Sequence, residues 1–225
     1  MECKIYTEKV GDIELSFMDV STSWTVPEVF KELRSDRYGL ESCVLGKNDI
    51  VIDVGGNVGM FSIYANKKFG CKIVAFEPVK ENYDNFLRNI LINRCDESDF
   101  EVYNLAVTDK DDDVVTLGIQ EWNSGGSSIY YKNPITNRTI KTVNLNKFIN
   151  EDCKFLKLDC EGSEHTIIPS ILDKINYFEY IGIEYHKIEG FMEPTQLAKL
   201  LEENFKGKLY PETIDGYISI GSHFL

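Results

Sequence analysis

Apolar positions along the chain alternate between short continuous runs and longer mixed stretches. Asp49-Ile50-Val51-Ile52-Asp53-Val54 is one such run, and residues 72–76 form a second. Runs of this kind suit strands buried on both faces of a parallel sheet. Helical stretches follow them at 58–69 and 79–93. Further strands are predicted at 100–107, 154–159 and 179–185, with helices at 164–174 and 194–204. Strand and helix alternate, so the fold class is α/β with a Rossmann-like, doubly wound sheet. The last two strands, about 206–210 and 216–221, are joined by a short connection through Pro211 and Gly216. That connection suits an antiparallel pair better than a crossover. The expected sheet has seven strands, mostly parallel, with the last antiparallel.

The first 45 residues follow a different pattern. Residues 4–8 and 13–19 flank the turn signal Val10-Gly11-Asp12 and read as a hairpin. Pro27 opens a predicted helix over 27–35. These elements form an expected N-terminal cap, residues 1–45, on a main domain spanning 46–225. Within that domain, short antiparallel strands at 113–119, 127–131 and 139–144 predict a β insertion over about 113–143. Its loop is Asn123-Ser124-Gly125-Gly126-Ser127-Ser128.

Composition narrows the function classes. The chain has 225 residues, 43% hydrophobic and 27% charged, as expected of a folded domain rather than a disordered one. Its 24 basic and 37 acidic residues give a net charge of −13. Such a field repels a phosphate backbone, and no basic run opposes it, so a nucleic-acid partner is not expected. Cys3, Cys43, Cys71, Cys95, Cys153 and Cys160 form no C-x-x-C pair and no zinc spacing with the histidines, which fits a reducing compartment. Met1-Glu2-Cys3-Lys4 lacks the apolar stretch of a signal peptide. No run approaches the ~18 apolar residues of a membrane span. A cytoplasmic location follows as an expectation, and oligomeric state is not legible.

The sharpest motif is Asp53-Val54-Gly55-Gly56-Asn57-Val58-Gly59, where a buried strand turns into a helix. Glycines there let backbone approach a ligand, and a helix N-terminus offers amide donors. Phe76-Glu77-Pro78 closes the next strand. An acidic residue there can accept hydrogen bonds from ribose hydroxyls. A nicotinamide fingerprint, G-x-G-x-x-G, is absent because the glycines stand at 55, 56 and 59. Asp53 just before the loop suits a ligand carrying an ammonium and a sulfonium better than a pyrophosphate. S-adenosylmethionine is therefore the expected cofactor, with Asp53, Gly55, Gly56, Asn57, Gly59 and Glu77 as its binding residues.

Four segments together resemble the FkbM-type methyltransferases. They are Val51 to Ser62 with the motif above, Ala75-Phe76-Glu77-Pro78, Leu158-Asp159-Cys160-Glu161-Gly162-Ser163-Glu164, and Ile183-Glu184-Tyr185-His186. Gly126-Ser127-Ser128 is similar to a small-residue segment of the same family. The resemblance spans about residues 48–187, and residues 1–45 carry none. It implies a class I methyltransferase using S-adenosylmethionine, usually on hydroxyl oxygens of sugars or polyketide-type natural products. It further implies that Asp53, Gly55, Asn57 and Gly59 hold the methionine end and Glu77 the ribose. Gly56 departs from the family, where alanine is common.

Methyl transfer from a sulfonium needs an acceptor oxygen held in line and a group to take its proton. Asp159 ends a strand beside the first motif, and Glu161 and Glu164 follow on the turn into a helix, where they could equally serve as caps. His186 ends a later strand, two residues after Glu184, so both side chains point to one side of the sheet. His186, Asp159 and Glu161 are the expected catalytic residues. Asp159, Glu161 and Glu184 could supply oxygen ligands to Mg²⁺, but the pattern is not diagnostic and no metal ligand is assigned. The expected partner is a small-molecule or carbohydrate acceptor. The alternatives are an N- or RNA-directed methyltransferase, a non-catalytic adenosyl-binding protein, and a nucleotide-dependent oxidoreductase, the last disfavoured by glycine spacing.

Overall fold

This computed structural model describes residues 3–20, 22–119, 125–130 and 136–213, and of 211–213 only the backbone. A hairpin of β1 (Cys3–Val10) and β2 (Ile13–Val20) leads into α1 (Thr25–Arg34). The alternation then begins with β3 (Ile50–Val54), α2 (Met60–Phe69), β4 (Lys72–Phe76), α3 (Lys80–Ile92) and β5 (Phe100–Tyr103). Next come β6 (Ala106–Thr108), β7 (Val114–Ile119) and β8 (Thr136–Asn144). The chain returns through β9 (Cys153–Leu158), α4 (Glu164–Ser170), β10 (Tyr180–Tyr185), α5 (Pro194–Asn204) and β11 (Lys208–Thr213).

The central sheet has the order β11-β10-β9-β3-β4-β5, and every pairing in it is parallel. Strand order reverses between β3 and β9, which opens a crevice at their carboxyl ends. This sheet has six strands among the described residues. The expected antiparallel strand at 216–221 lies outside those residues. The strand expected near 206–210 is β11, which pairs parallel to β10.

Alternate strand residues face opposite layers, as a pleated strand requires. Val51, Ile73, Ala75 and Phe155 point towards α2 and α3 in one core. Ile52, Val54, Val74, Phe76, Leu156 and Ile183 point towards α4 and α5 in the other. The hairpin and α1 share the first core through Leu15, Phe17, Val26 and Phe30. Two amides, Asn89 of α3 and Asn93 at its C-terminal cap, fasten the outer edge of β2. Asn89 accepts from Met18 N at 2.7 Å and donates to Met18 O at 3.1 Å. Asn93 does the same with Ser16 N and O at 2.9 and 2.6 Å. Side-chain amides thus take the place of a neighbouring strand on an edge that would otherwise be open.

Two element predictions differ from what forms. The expected strand 100–107 is divided, because Asn104 turns aside to donate its amide to the carbonyls of Glu77 and Pro78, both at 2.9 Å. After that bend β6 joins β8 in a separate three-stranded sheet with β7. The expected helix 164–174 stops at Ser170, with Pro169 in its last turn, where Ile171 N closes back on Ile168 O at 3.2 Å. In the insertion, Ser128 bridges Gly118 through backbone bonds of 2.8 and 3.1 Å. Residues 120–124 and 131–135, with part of the predicted loop and strand, lie outside the described residues. No helix among the described residues is long and apolar enough to cross a membrane.

Candidate active site

The crevice at the switch point widens into a cleft of about 120 Å³ that opens to solvent. Gly55, Gly56, Asn57, Glu77, Asp159 and Glu161 line it. Asp53, Gly59 and His186 stand behind that wall. Gly55 is where the two halves of the sheet meet: a Cβ on it would lie 1.8 Å from the backbone oxygen of Asp159. Its φ of +83° also lies in the region that favours glycine.

The loop's amides do not face outward as the motif led one to expect. Gly55 N and Gly56 N both donate to Phe76 O at 3.0 Å, and Gly59 N donates to Gly56 O at 2.8 Å. Asn57 N donates to Glu77 Oε2, and Val58 N to Asn57 Oδ1. A loop whose amides are spent internally does not cradle a pyrophosphate, which weighs against a dinucleotide. Glu77 is 4% exposed and fastens the loop to its own strand end. Its Oε1 accepts from Val79 N at 2.8 Å and Asn82 Nδ2 at 3.3 Å. Burial pushes its carboxyl up to about 7, against the hydrogen bonds from Val79 and Asn57. Beside it the cleft wall is apolar, formed by Val79, Leu105, Val107, Leu117 and Ile129.

Asp53 does not reach the cleft. It is fully buried, accepts from Ser62 Oγ at 2.7 Å, and pairs with Lys157 Nζ at 3.1 Å. Lys157 was not singled out from the sequence, yet it joins the site together. Its ammonium donates to Gly55 O at 3.0 Å and lies 3.5 Å from Asp159 Oδ2. It also sits over the rings of Tyr38 and Phe61. Burial works against its charge, but Asp53 and Asp159 hold its pKa above the ordinary lysine range.

The acidic end of the cleft gathers residues from distant parts of the chain. Tyr38 donates its hydroxyl to Asp159 Oδ2 at 2.9 Å and lies 3.4 Å from Glu184 Oε2. It comes this close because β10 carries Gly182, where a Cβ would meet the Cβ of Tyr38 at 2.9 Å. Arg37 bridges Glu32 and Glu184, the latter at 3.2 Å. Burial raises the Asp159 carboxyl, but Lys157, His186 and Tyr38 together bring it below the ordinary range. Burial and then Asp159 push Glu184 up.

His186 is 6% exposed, with Nδ1 3.1 Å from Glu164 Oε1 and Nε2 3.6 Å from Glu161 Oε2. Burial disfavours its proton, but Glu164, Asp159 and Glu161 outweigh that and push it up to about 10. Glu161 is partly open to the cleft and is pushed up to about 7 by burial, against His186. Its φ of +53° is one that costs a non-glycine residue roughly 1–2 kcal/mol. Ser128 of the insertion holds it there by donating Oγ to Glu161 O at 2.6 Å.

Tyr38 and Arg37 also escaped the sequence, which offered no local signal for either. The structure therefore brings Asp159, Glu161 and His186 together, and places Glu77 with Gly56 and Asn57 on the other side of β3, with Gly55 between the two groups.

The family model described as the methyltransferase FkbM domain matches residues 53–207, from Asp53 to just before β11. Methyltransferase sdnD of Sordaria araneosa is 37% identical over 67 residues, 29% of this chain and 25% of that relative. Methyltransferase 1 of Beauveria bassiana (strain ARSEF 2860) is 39% identical over 44 residues, 19% of this chain and 18% of that relative. The chain thus spans a quarter or less of the curated relatives it matches. A solved structure, the Pyrococcus abyssi tRNA (uracil-54, C5)-methyltransferase in complex with S-adenosyl-L-homocysteine, overlaps 44% of this chain and 24% of its own, at 23% identity and a TM-score of 0.34. The family match covers well over half of the chain and includes both the Gly55 loop and the acidic cluster, so this chain belongs to the methyltransferase FkbM domain family.

Proposed function

We propose that this chain transfers a methyl group from S-adenosylmethionine to a hydroxyl oxygen of a sugar, glycan or other polyhydroxylated small molecule. The observation that carries the reading is the position of two acidic stations on either side of β3. Glu77, beside an apolar slot, stands at the end of β4, and Asp159 and Glu161 stand beyond the end of β9. The residues fit the donor: a buried carboxylate for ribose hydroxyls, apolar side chains for adenine, and a glycine turn with no free amides for phosphate.

S-adenosylmethionine supplies an electrophilic methyl group on a sulfonium. The acceptor oxygen forms a bond to the methyl carbon as the carbon–sulfur bond breaks, and the hydroxyl proton must leave. Glu161 is the proposed proton acceptor, because it lines the cleft and is partly open to it. His186 lies behind Glu161, its Nε2 3.6 Å from that carboxylate. Asp159, held by Tyr38 and Lys157, orients the acceptor. Asp53 acts through Lys157, which fixes the carbonyl of Gly55. Gly59 starts α2 and positions the loop.

The test is calorimetric titration with S-adenosylhomocysteine, with NADH as control. Binding of S-adenosylhomocysteine alone is expected. Binding of NADH alone, or of neither, would overturn the reading.

A further inference from the structure

The acidic end of the cleft holds more than a proton acceptor requires. Asp159, Glu184 and His186 each offer one ligand atom, and these atoms all lie within 4.8 Å of one another. They stand at the carboxyl ends of the paired strands β9 and β10. His186 is 6% exposed, and its Nε2 has no hydrogen-bond partner. Its Nδ1 is taken by Glu164, which is anchored in turn by Cys160 N at 2.9 Å. A carboxylate on one ring nitrogen fixes the tautomer and leaves the other nitrogen to a metal.

We propose that Asp159, Glu184 and His186 bind a divalent cation that accepts mixed nitrogen and oxygen donors. Two further features favour it. Asp53, Asp159, Glu161, Glu164 and Glu184 crowd this end of the fold, and the permanent cations facing them among the described residues are Lys157 and Arg37. A buried surplus of carboxylate calls for protons or a cation. The Tyr38 hydroxyl is 3.4 Å from Glu184 Oε2, too long for a good O–H···O bond, so that oxygen can exchange it for a metal.

Carboxylates suit Mg²⁺ and Mn²⁺, and an imidazole among them shifts preference towards Mn²⁺ or Zn²⁺. The cation's purpose rests on the methyl-transfer reading above. It holds the acceptor oxygen and lowers the pKa of its hydroxyl. Asp159, the ligand that lines the cleft, ties the two together.

The full chain, stripped of metal with EDTA, is titrated with Mn²⁺ while the electron paramagnetic resonance signal of free Mn²⁺ is followed. The signal is expected to vanish up to one equivalent and to return when excess Zn²⁺ is added. Glu184→Gln and His186→Ala are each expected to weaken binding at least ~10-fold. Asp159→Asn should do the same, and it carries the test if the two buried variants fail to fold, since its side chain is 28% exposed. An undiminished free signal with protein in excess would overturn the site, as would equal Mn²⁺ binding in all folded variants. Calorimetry with S-adenosylhomocysteine on the stripped chain separates the two readings. Mn²⁺ binding without it leaves the cation site standing and removes the donor. Its binding without Mn²⁺ does the reverse.

Discussion

Lys157 Nζ lies 3.1 Å from Asp53 Oδ1 across two strands whose register sets the residues side by side. Both groups are buried, and the ammonium also holds the Gly55 carbonyl. Removing one member leaves an uncompensated charge in the core, which typically costs ~3–5 kcal/mol. Lys157→Met is therefore expected to destabilise the fold strongly. The double variant with Asp53→Asn should recover a good part of the loss, as denaturant unfolding would show. A single variant as stable as the parent would remove Lys157 from its role.

Glu77→Ala is expected to weaken S-adenosylhomocysteine binding. A charge-assisted hydrogen bond contributes ~1.5–3 kcal/mol, roughly tenfold to a hundredfold in affinity. The substitution also releases the loop amide of Asn57. Glu77→Gln keeps one acceptor oxygen and should fall between the two. Calorimetric affinities in the order parent, Gln, Ala would bear this out, and unchanged affinity in the Ala variant would sink the ribose role.

The same residue sets a pH dependence. Burial raises the Glu77 carboxyl from 4.5 to about 7. Between those values the folded chain keeps a proton that the unfolded chain loses. The stability Glu77 contributes is thus full below 4.5 and is lost as pH rises through about 7. In the proposed reading ribose hydroxyls donate to the ionised form, so ligand affinity should rise with pH over the same interval and then level. Comparing affinity profiles of the parent and Glu77→Gln isolates this group from its neighbours. A parent profile with the same slope as the variant would refute it.

Gly55→Ala and Gly56→Ala should differ sharply. The first places a Cβ 1.8 Å from the Asp159 carbonyl oxygen at a positive φ, so backbone must move. Well over ~1 kcal/mol of stability should be lost. The second meets the Phe86 ring edge at 2.8 Å, and a side chain can shift more easily than a strand end. Thermal unfolding of the pair gives the comparison, and equal losses would count against the close approach.

The legible parts of this protein were local. The Gly55 loop lies at a strand-to-helix turn, and Glu77 ends the next strand, so both carry their context in a few neighbouring residues. Lys157 had no such context. It occupies one position in an apolar strand, and what it touches comes from Asp53, Gly55 and Tyr38, far away in the chain. Tyr38 and Arg37 were hidden for the same reason: their partners on β9 and β10 follow only from the fold. The break after Tyr103 was equally illegible, because it depends on where the Asn104 amide finds its carbonyls.

The amides that fasten β2 to α3 also act as a length gauge. Asn89 and Asn93 are one helical turn apart, ~6 Å along the axis. Ser16 and Met18 are two residues apart on the strand, ~6.8 Å. The two spacings agree only when the outward-facing backbone groups of β2 meet both amides at once. A shift of one residue would turn those groups inward, towards β1. An insertion or deletion of a single residue in β2 therefore cannot be absorbed by sliding, whereas the turn at Gly11 can change length without disturbing the gauge.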